Sequence, residues 1–275
     1  MFPWSSEFTW DLPHVAFFGA FYAVLLAVAA VVLKSLADAR ADARSGLTSQ
    51  VLWRAAFAEL PARDRACRHR LSGRAPGRVC DNGFDCRSCE THPSLAGLPS
   101  TAAVPAEAST PVGMRLPRDR FYHRGHTFVK PEPDGTVTVG LDDLARRLVG
   151  PPDAVEPPSP GTHLGHGDAA LRLRVRGSLV RVPSPLDGVV LGSVGSGAET
   201  ELLIDPGGPL DTRHLLSGDE VAPWALRELE RFQALLAPTG MGASMADGGE
   251  LIEDVGRAVP PDRLDAVLGE MFLDL

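Results

Sequence analysis

Residues 171–192 read LRLRVRGSLVRVPSPLDGVVLG and contain a clear strand pattern. Apolar and polar residues alternate from Ala170 to Val182, which is typical of a strand with one buried face. A Pro-Ser-Pro segment interrupts the pattern, and a second strand is predicted from Leu186 to Leu191. Neither strand contains a lysine, because the only two lysines of the chain are Lys34 and Lys130.

The neighbouring segments extend this β-rich pattern in both directions. Residues 121–141, FYHRGHTFVKPEPDGTVTVGL, alternate on both sides of a Pro-Asp-Gly turn, which predicts a β-hairpin. Leu141 to Leu148 predicts a short helix, and Glu199 to Ile204 predicts another strand. Pro223 to Leu236 predicts a helix with one broad apolar stripe and proline in its first turn. Residues 249–275 predict two short helical turns.

Three segments in this region resemble the glycine cleavage system H protein, a barrel-sandwich relative of lipoyl and biotinyl carrier domains. They are YHRGHTFVKPEPDGTVTVGLDDLARRLVG (Tyr122–Gly150), VEPPSPGTHLGHGDA (Val155–Ala169) and SPLDGVVLGSV (Ser184–Val194). The resemblance covers Phe121–Leu236. It implies an α+β chain whose main domain is a β-rich barrel-sandwich with C-terminal helices.

The resemblance breaks at the modification site. Aligning Ser184–Gly188 with the family places Gly177 where the family carries its lipoyl-lysine. Arg174, Arg176 and Arg181 flank it, where the family usually has acidic or small residues. A lipoyl arm is attached through an amide to a lysine amine. Gly177 is therefore predicted to be a degenerate lipoyl position, and the chain is predicted to carry no lipoate.

An apolar segment near the N-terminus predicts a membrane anchor. Val15 to Leu33 contains no charged residue, and a helix of this length spans roughly 28 Å, close to the hydrocarbon core of a bilayer. Trp4 and Trp10 suit the interface. A signal peptide would have a basic leading region, which is absent here. A transmembrane helix is therefore predicted over residues 14–34.

The charges beside this segment predict its orientation. Glu7 and Asp11 precede it, whereas Lys34, Arg40 and Arg44 follow it. Positive charges stay on the cytoplasmic side of a membrane. The prediction is a single-pass protein of the bacterial inner membrane, with its N-terminus outside and its C-terminal domain in the cytoplasm.

All four cysteines lie in one short window, with the spacing C-x12-C-x5-C-x2-C. Stable disulfides are rare in a reducing cytoplasm, so clustered thiols indicate a metal. Zinc and iron–sulfur clusters both accept four such ligands, and zinc is the first expectation. Redox-active thiols and the absence of any ligand remain alternatives. The predicted ligands are Cys67, Cys80, Cys86 and Cys89, with His69 and His92 as alternates.

Seven arginines surround these cysteines, and they are expected to lower the thiol pKa values. The same arginines could instead form a solvated face or contact anionic lipid headgroups. They are Arg63, Arg65, Arg68, Arg70, Arg74, Arg78 and Arg87.

Other candidate sites are weaker. His123 with His126, and His163 with His166, have spacings that can bind metal but lack a third ligand. The glycine run from Gly192 to Gly197 lacks the lysine of a phosphate-binding loop and predicts a turn. No nucleophile elbow or kinase motif is present, so an enzyme is not expected.

The net charge of -8 disfavours a nucleic-acid partner. The sequence predicts an organisation in six parts. The parts are an extracytoplasmic N-terminus 1–13, a transmembrane helix 14–34, a helical and cysteine-rich segment 35–94, a linker 95–118, an H-protein-like domain 119–237 and a C-terminal tail 238–275.

The function expected from these features is that of an accessory or assembly subunit. It would be membrane-anchored and non-lipoylated, and it would scaffold other protein subunits of a membrane complex, for which a redox complex is one option. One alternative is a metal- or redox-sensing protein that uses its four cysteines. A second alternative is an H-type carrier of the glycine cleavage system.

Overall fold

The computed structural model describes residues 11–44, 54–99, 113–236 and 253–273. These residues fall into two compact units, Met1–Thr48 and Ser49–Leu275. Most of the predicted 1–13 segment, residues 100–112 of the predicted linker and residues 238–252 of the predicted tail lie outside the described residues.

The described part of the first unit contains helix α1, Leu12–Arg44. Its stretch Leu12–Ala37 has a mean hydropathy of 2.6 and is long and apolar enough to cross a membrane. Within the described part of the chain none of that stretch is buried, whereas the apolar face of a soluble core helix is covered by other residues. The helix contains the predicted span 14–34 and continues beyond it.

The second unit contains nine strands in two antiparallel sheets. The larger sheet has the order β1-β2-β3-β9-β8-β5, and the smaller has the order β4-β6-β7. The predicted hairpin around Pro133-Asp134-Gly135 is confirmed, since β2 pairs with β3. The strands are β1 Phe121–Tyr122, β2 Thr127–Pro131, β3 Val137–Leu141, β4 Ala154–Glu156, β5 His163–Leu164, β6 Ala169–Val175, β7 Ser178–Pro183, β8 Gly188–Val194 and β9 Glu201–Asp205.

Short helices flank the sheets. Helix α5 is capped by Asp142, whose Oδ1 accepts from the Ala145 amide at 2.8 Å, and it ends at Gly150 with φ 60°. Helix α6 has the predicted proline near its start. The helices are α2 (described over 54–59), α3 Arg68–Leu71, α4 His92–Ala96, α5 Asp143–Val149, α6 Val221–Leu236 and α7 Leu264–Phe272.

One hydrophobic core contains residues from several parts of the predicted domain organisation. Helix α7 buries Phe272 and Met271 completely, and both lie in the same core as Trp224 of α6. Ala66 of the cysteine-rich segment and Met114 of the predicted linker also belong to it. The boundaries at 119 and 237 therefore do not limit the packed core, because apolar residues on both sides of them fill it.

Candidate functional site

The tip of the β6–β7 hairpin is a two-residue turn formed by Arg176 and Gly177. Val175 and Ser178 form the last cross-strand pair. Both turn residues have positive φ, 49° and 88°, as a type I′ hairpin turn requires. Gly177 is exposed, and a Cβ added there would meet nothing within 4 Å. The predicted lipoyl position is thus an accessible tip without a side chain.

Hydrogen bonds hold this tip in place on two sides. The Gly177 amide donates to Asp153 Oδ2 at 3.2 Å. The Arg176 guanidinium donates to the carbonyl oxygens of Val259 at 3.2 Å and Gly256 at 2.7 Å. Helix α7 also packs against β7. These contacts fix the turn against the C-terminal segment.

Neither lysine belongs to the β6–β7 hairpin. Lys130 belongs to β2 in the larger sheet, whereas the tip belongs to the smaller sheet. Its Nζ lies 3.1 Å from Glu132 Oε1. Lys34 belongs to α1 in the other compact unit. The β6–β7 hairpin therefore presents no amine from either lysine.

The four cysteines line one pocket. Its free volume is about 20 Å³, which is room for roughly one water molecule or one ion. Both alternate ligands line the same pocket, with His69 Nε2 and His92 Nδ1 3.0 Å apart. His69 Nδ1 is buried without a hydrogen-bond partner among the described residues. The structure therefore brings all six predicted ligand residues to one place.

The side chains of this pocket, as the structure places them, do not form a metal-binding site among the described residues. Thiolate and imidazole are the donors that zinc prefers, and the pocket has the size for one ion. Among the residues that the structure describes, however, no group of three or more His, Cys, Asp or Glu side chains is placed to hold a metal. Zinc and iron–sulfur binding here stay predictions.

Burial has a larger effect than the nearby arginines on the pKa values of two cysteine thiols. Burial raises the pKa of Cys80, and it raises the pKa of Cys86 to about 12 although Arg68 and Arg124 act in the opposite direction. Burial also acts to raise the pKa of Cys89, but hydrogen bonds with Thr91 outweigh it and lower that pKa. Arginine charge therefore acts in the expected direction on Cys80 and Cys86, but burial outweighs it, and the net pKa of both thiols is raised rather than lowered.

The arginines instead hold the cysteine-rich segment on the β-rich part of the unit. Arg68 forms two hydrogen bonds with Glu220, of 2.6 and 3.1 Å, and Arg74 approaches the same carboxylate at 3.4 Å. Arg124 donates to the Ala66 carbonyl at 2.8 Å and lies over the Phe84 ring at 4.3 Å. Such buried, hydrogen-bonded ion pairs specify one docking position.

Three histidines from separate loops meet beside the cysteine pocket. His123 Nε2 lies 3.3 Å from His166 Nε2, and the His214 ring centroid lies 5.0 Å from that of His166. Burial lowers the pKa of all three, to about 4 for His166. Burial therefore favours the neutral form of each ring. The sequence missed this cluster, because its members are far apart in the chain and follow no common spacing.

Among the described residues, neither of the weak candidate pairs, His123 with His126 and His163 with His166, belongs to a group placed to hold a metal. His163 is exposed on β5, and His126 turns away from His123 into the core. There its Nδ1 lies 2.8 Å from Asp142 Oδ2, and its Nε2 lies 3.7 Å from Glu228 Oε2. Burial acts to lower the pKa of His126, but the two carboxylates raise it to about 9. His126 is therefore a buried cation that joins α5 and α6.

Comparison with known proteins identifies similar sequences over part of the chain. No protein-family model matches it. It is 30% identical over 114 residues to the glycine cleavage system H protein of Nitrosospira multiformis, a match that covers 42% of this chain and 79% of that protein. The H proteins of Halorhodospira halophila and Pseudoalteromonas atlantica are each 34% identical to it. Those two matches cover 58% and 60% of the relatives, less than two thirds of their length.

The crystal structure of a glycine cleavage system H protein from Mycobacterium marinum aligns with 41% of this chain and 98% of its own, at 21% identity and a TM-score of 0.33. The 30% identity to the Nitrosospira protein, over most of that protein's length, agrees with the resemblance found in the sequence. Through this part of its sequence, the chain belongs to the glycine cleavage system H protein family.

Proposed function

We propose that this chain is a membrane-anchored, non-lipoylated H-protein-like accessory subunit that helps to assemble a membrane complex. One observation carries the proposal: the exposed tip of the β6–β7 hairpin consists of Arg176 and Gly177 and offers no amine. A swinging arm needs a lysine for its attachment. Without the arm, the useful property that remains is a rigid surface.

The contacts of the tip support a docking role rather than a carrier role. Arg176 is bonded to two carbonyls of the C-terminal segment, and the Gly177 amide is bonded to Asp153. A surface that is ordered before it meets a partner loses little conformational entropy on binding. The proposed partners are other protein subunits of the same membrane, and the domain performs no catalysis of its own.

The proposed location is the inner membrane, with the N-terminus outside and the second unit in the cytoplasm. Support comes from the apolar stretch Leu12–Ala37 and from the basic residues Lys34 and Arg40 that lie at its C-terminal end.

The proposal predicts two results from one purification. The full-length chain, tagged and extracted in mild detergent from lipoate-fed cells, will have the intact mass of its unmodified sequence. It will also copurify with other membrane subunits at fixed stoichiometry. A typical lipoylated H protein produced in the same cells is the positive control for the mass.

The carrier alternative makes the opposite prediction and has the family relationship in its favour. A carrier would show an added lipoyl mass, and Lys130→Arg would remove it if Lys130 were the attachment point. An added lipoyl mass, or recovery of the tagged chain without any partner, would contradict the accessory role.

A metal- or redox-sensing role is a second candidate, because one pocket is lined by all four cysteines together with His69 and His92. Its binding of zinc requires a rearrangement of these side chains. The prediction is stoichiometric zinc in anaerobically purified protein, lost in the Cys86→Ser/Cys89→Ser variant and kept in Glu90→Gln, which changes only an exposed neighbour. Elemental analysis measures it. Wild-type protein that contains no zinc would contradict the proposed zinc site.

A further inference from the structure

A buried arginine lines the cysteine pocket. Arg124 has an exposed fraction of 5% and lies in the turn between β1 and β2. Its guanidinium donates to the Ala66 carbonyl at 2.8 Å and lies over the Phe84 ring at 4.3 Å. Ala66 directly precedes the first cysteine, and Phe84 lies between the second and the third. Arg124 therefore contacts both of the segments that bring these three cysteines to the pocket.

The carboxylates on the other side of Arg124 already have cations of their own. Arg124 borders a groove that also contains Glu228 of α6. Glu228 lies 3.0 Å from Arg231 and 3.7 Å from His126, and His126 is bonded to Asp142. Three buried cations thus accompany two buried carboxylates, and Arg124 is bonded to neither. The other acidic residues of the groove, none of which forms an ion pair with Arg124 within the described ranges, are Asp64, Glu230 and Glu270.

Two further arginines line the cysteine pocket, and both differ from Arg124. Arg68 is bonded to the buried carboxylate of Glu220 through two hydrogen bonds. Arg78 is half-buried, so water still reaches it, and it donates to the Thr91 hydroxyl at 2.6 Å. Of the three arginines, Arg124 is the one that is buried and lacks a bonded carboxylate in the part of the chain that the structure describes.

The acidic residues of the pocket do not balance this charge either. Asp81 is exposed to solvent, and Asp85 pairs with Arg87 at 2.9 Å. The other groups of the pocket that can become negatively charged are its four thiols. Cysteine binds a metal as the thiolate, so metal binding would place negative charge beside Arg124.

The formal charge of a zinc centre depends on its ligands. Zinc has two positive charges, so a centre with three or four thiolate ligands is an anion, whereas one with two thiolates and two neutral imidazoles is uncharged. A guanidinium keeps its proton in a protein, and a buried charge without a counter-charge is costly. The position of Arg124 therefore favours an anionic centre over a neutral one that uses both His69 and His92.

We propose that Arg124 is the counter-ion of an anionic zinc centre in which at least three of the four cysteines are thiolate ligands. The inference rests on the second candidate function, the zinc site, and is independent of the accessory role. It assigns Arg124 a positioning and charge-balancing role without making it a ligand.

The test measures zinc affinity and thermal stability of the full-length chain in mild detergent under anaerobic conditions. Arg124→Met removes the charge and keeps a long apolar side chain. Groups that support metal ligands typically contribute about 10- to 100-fold to metal affinity. We therefore expect the Kd for zinc, measured by competition with a chelator, to rise by about this factor. The Tm difference between wild type and Arg124→Met will be larger with zinc than without it.

Three other variants separate charge from structure. Arg124→Gln keeps a donor for the Ala66 carbonyl but loses the charge, and it is expected to weaken zinc binding as Arg124→Met does. Arg124→Lys keeps the charge and is expected to retain part of the affinity. Arg63→Met is the matched control in the same segment, since the Arg63 side chain is 77% exposed. Its zinc affinity will equal that of the wild type.

Equal zinc affinity in wild type and Arg124→Gln would overturn the inference. A Tm difference that is the same with and without zinc would also overturn it, because the contacts with Ala66 and Phe84 act in both conditions. Weaker zinc binding by Arg63→Met would show a general effect of charge and would contradict the assignment to Arg124.

X-ray absorption of the zinc-loaded wild type tests the ligand set directly. Zn–S distances are about 2.3 Å and Zn–N distances about 2.0–2.1 Å, so the two kinds of ligand can be counted separately. Two of each would mean a neutral centre and contradict the inference. Wild-type protein that binds no zinc would remove both the second candidate function and the counter-ion. That failure is seen in the wild type itself, whereas failure of this inference alone is seen with zinc bound.

Discussion

Replacing His126 by glutamine is expected to destabilise the second unit by about 3–5 kcal/mol, the usual cost of removing one partner from a buried ion pair. His126 has an exposed fraction of 1% and lies between Asp142 and Glu228. Its ring also stacks on Trp224 at 5.4 Å. The variant would leave two carboxylates in the core without their cation, although Arg231 still pairs with Glu228 at 3.0 Å.

The effect has a defined pH dependence. The pKa of His126 is raised from 6.5 to about 9 by folding, so the folded state binds this proton more tightly than the unfolded state does. The stabilisation by His126 is complete below about pH 6.5 and is lost as the pH rises through 9. The stability difference between wild type and His126→Gln will therefore narrow as the pH rises from about 6.5 to 9, and it will change little above pH 9.

Thermal unfolding of the full chain in mild detergent, followed by near-UV circular dichroism, measures this effect. A loss of this size lowers the Tm by roughly 10 °C for a unit of about 200 residues. His163→Gln is the matched control, since that histidine is exposed on β5; its change should stay within about 0.5 kcal/mol. If the two variants have equal Tm values, His126 is not a stabilising buried cation.

Gly256→Ala is expected to destabilise the second unit by about 3 kcal/mol, at the upper end of the usual range for overpacking. A Cβ at this position would lie 1.9 Å from the carbonyl oxygen of Leu148 in α5. That oxygen belongs to helical backbone and cannot rotate away as a side chain could. The Gly256 carbonyl also accepts from Arg176, so displacement of this segment will loosen the hairpin tip.

Hydrogen exchange of the full chain distinguishes this effect from a local disturbance. Gly256→Ala should increase exchange in α7 and at Ser178 of the hairpin together, because both depend on the same packed segment. Gly208→Ala is the matched control: a Cβ there meets nothing within 4 Å, and its stability should be unchanged or slightly raised. Unchanged exchange in α7 would contradict the packing of residues 253–273 into the core and would favour the separate C-terminal tail, 238–275, of the predicted organisation.

Local patterns predicted most of the secondary structure. The alternation of side chains predicted the hairpin β2–β3, and the apolar stripe from Pro223 to Leu236 predicted α6. The same alternation predicted one strand from Ala170 to Val182, which the structure divides into β6 and β7 by a turn at Arg176 and Gly177. These features depend on neighbouring residues, whose spacing decides which side chains share a face. The role of residues 253–273 was not accessible in this way. Their apolar residues signal burial, but hydropathy does not say which surface they cover.

The candidate site, too, could be predicted from the sequence only in part. The cysteine spacing predicted that four thiols gather, and they line one pocket. The net direction of the pKa shift was not predicted for Cys80 and Cys86, because counting nearby arginines leaves out the effect of burial. The His123–His166 contact joins residues 43 positions apart. No spacing rule could have selected it over the nearer pairs.

The amino-acid sequence alone established that the β6–β7 hairpin contains no lysine, because the positions of the two lysines are known without coordinates. It also established an uninterrupted apolar segment and strands whose side chains alternate with a two-residue period. Long-range packing decided the rest: which histidines become neutral and which becomes a cation, how strongly each thiol holds its proton, and that the last helix completes the core. Those properties depend on burial and on charges brought close by folding, and neither quantity is defined until distant segments meet.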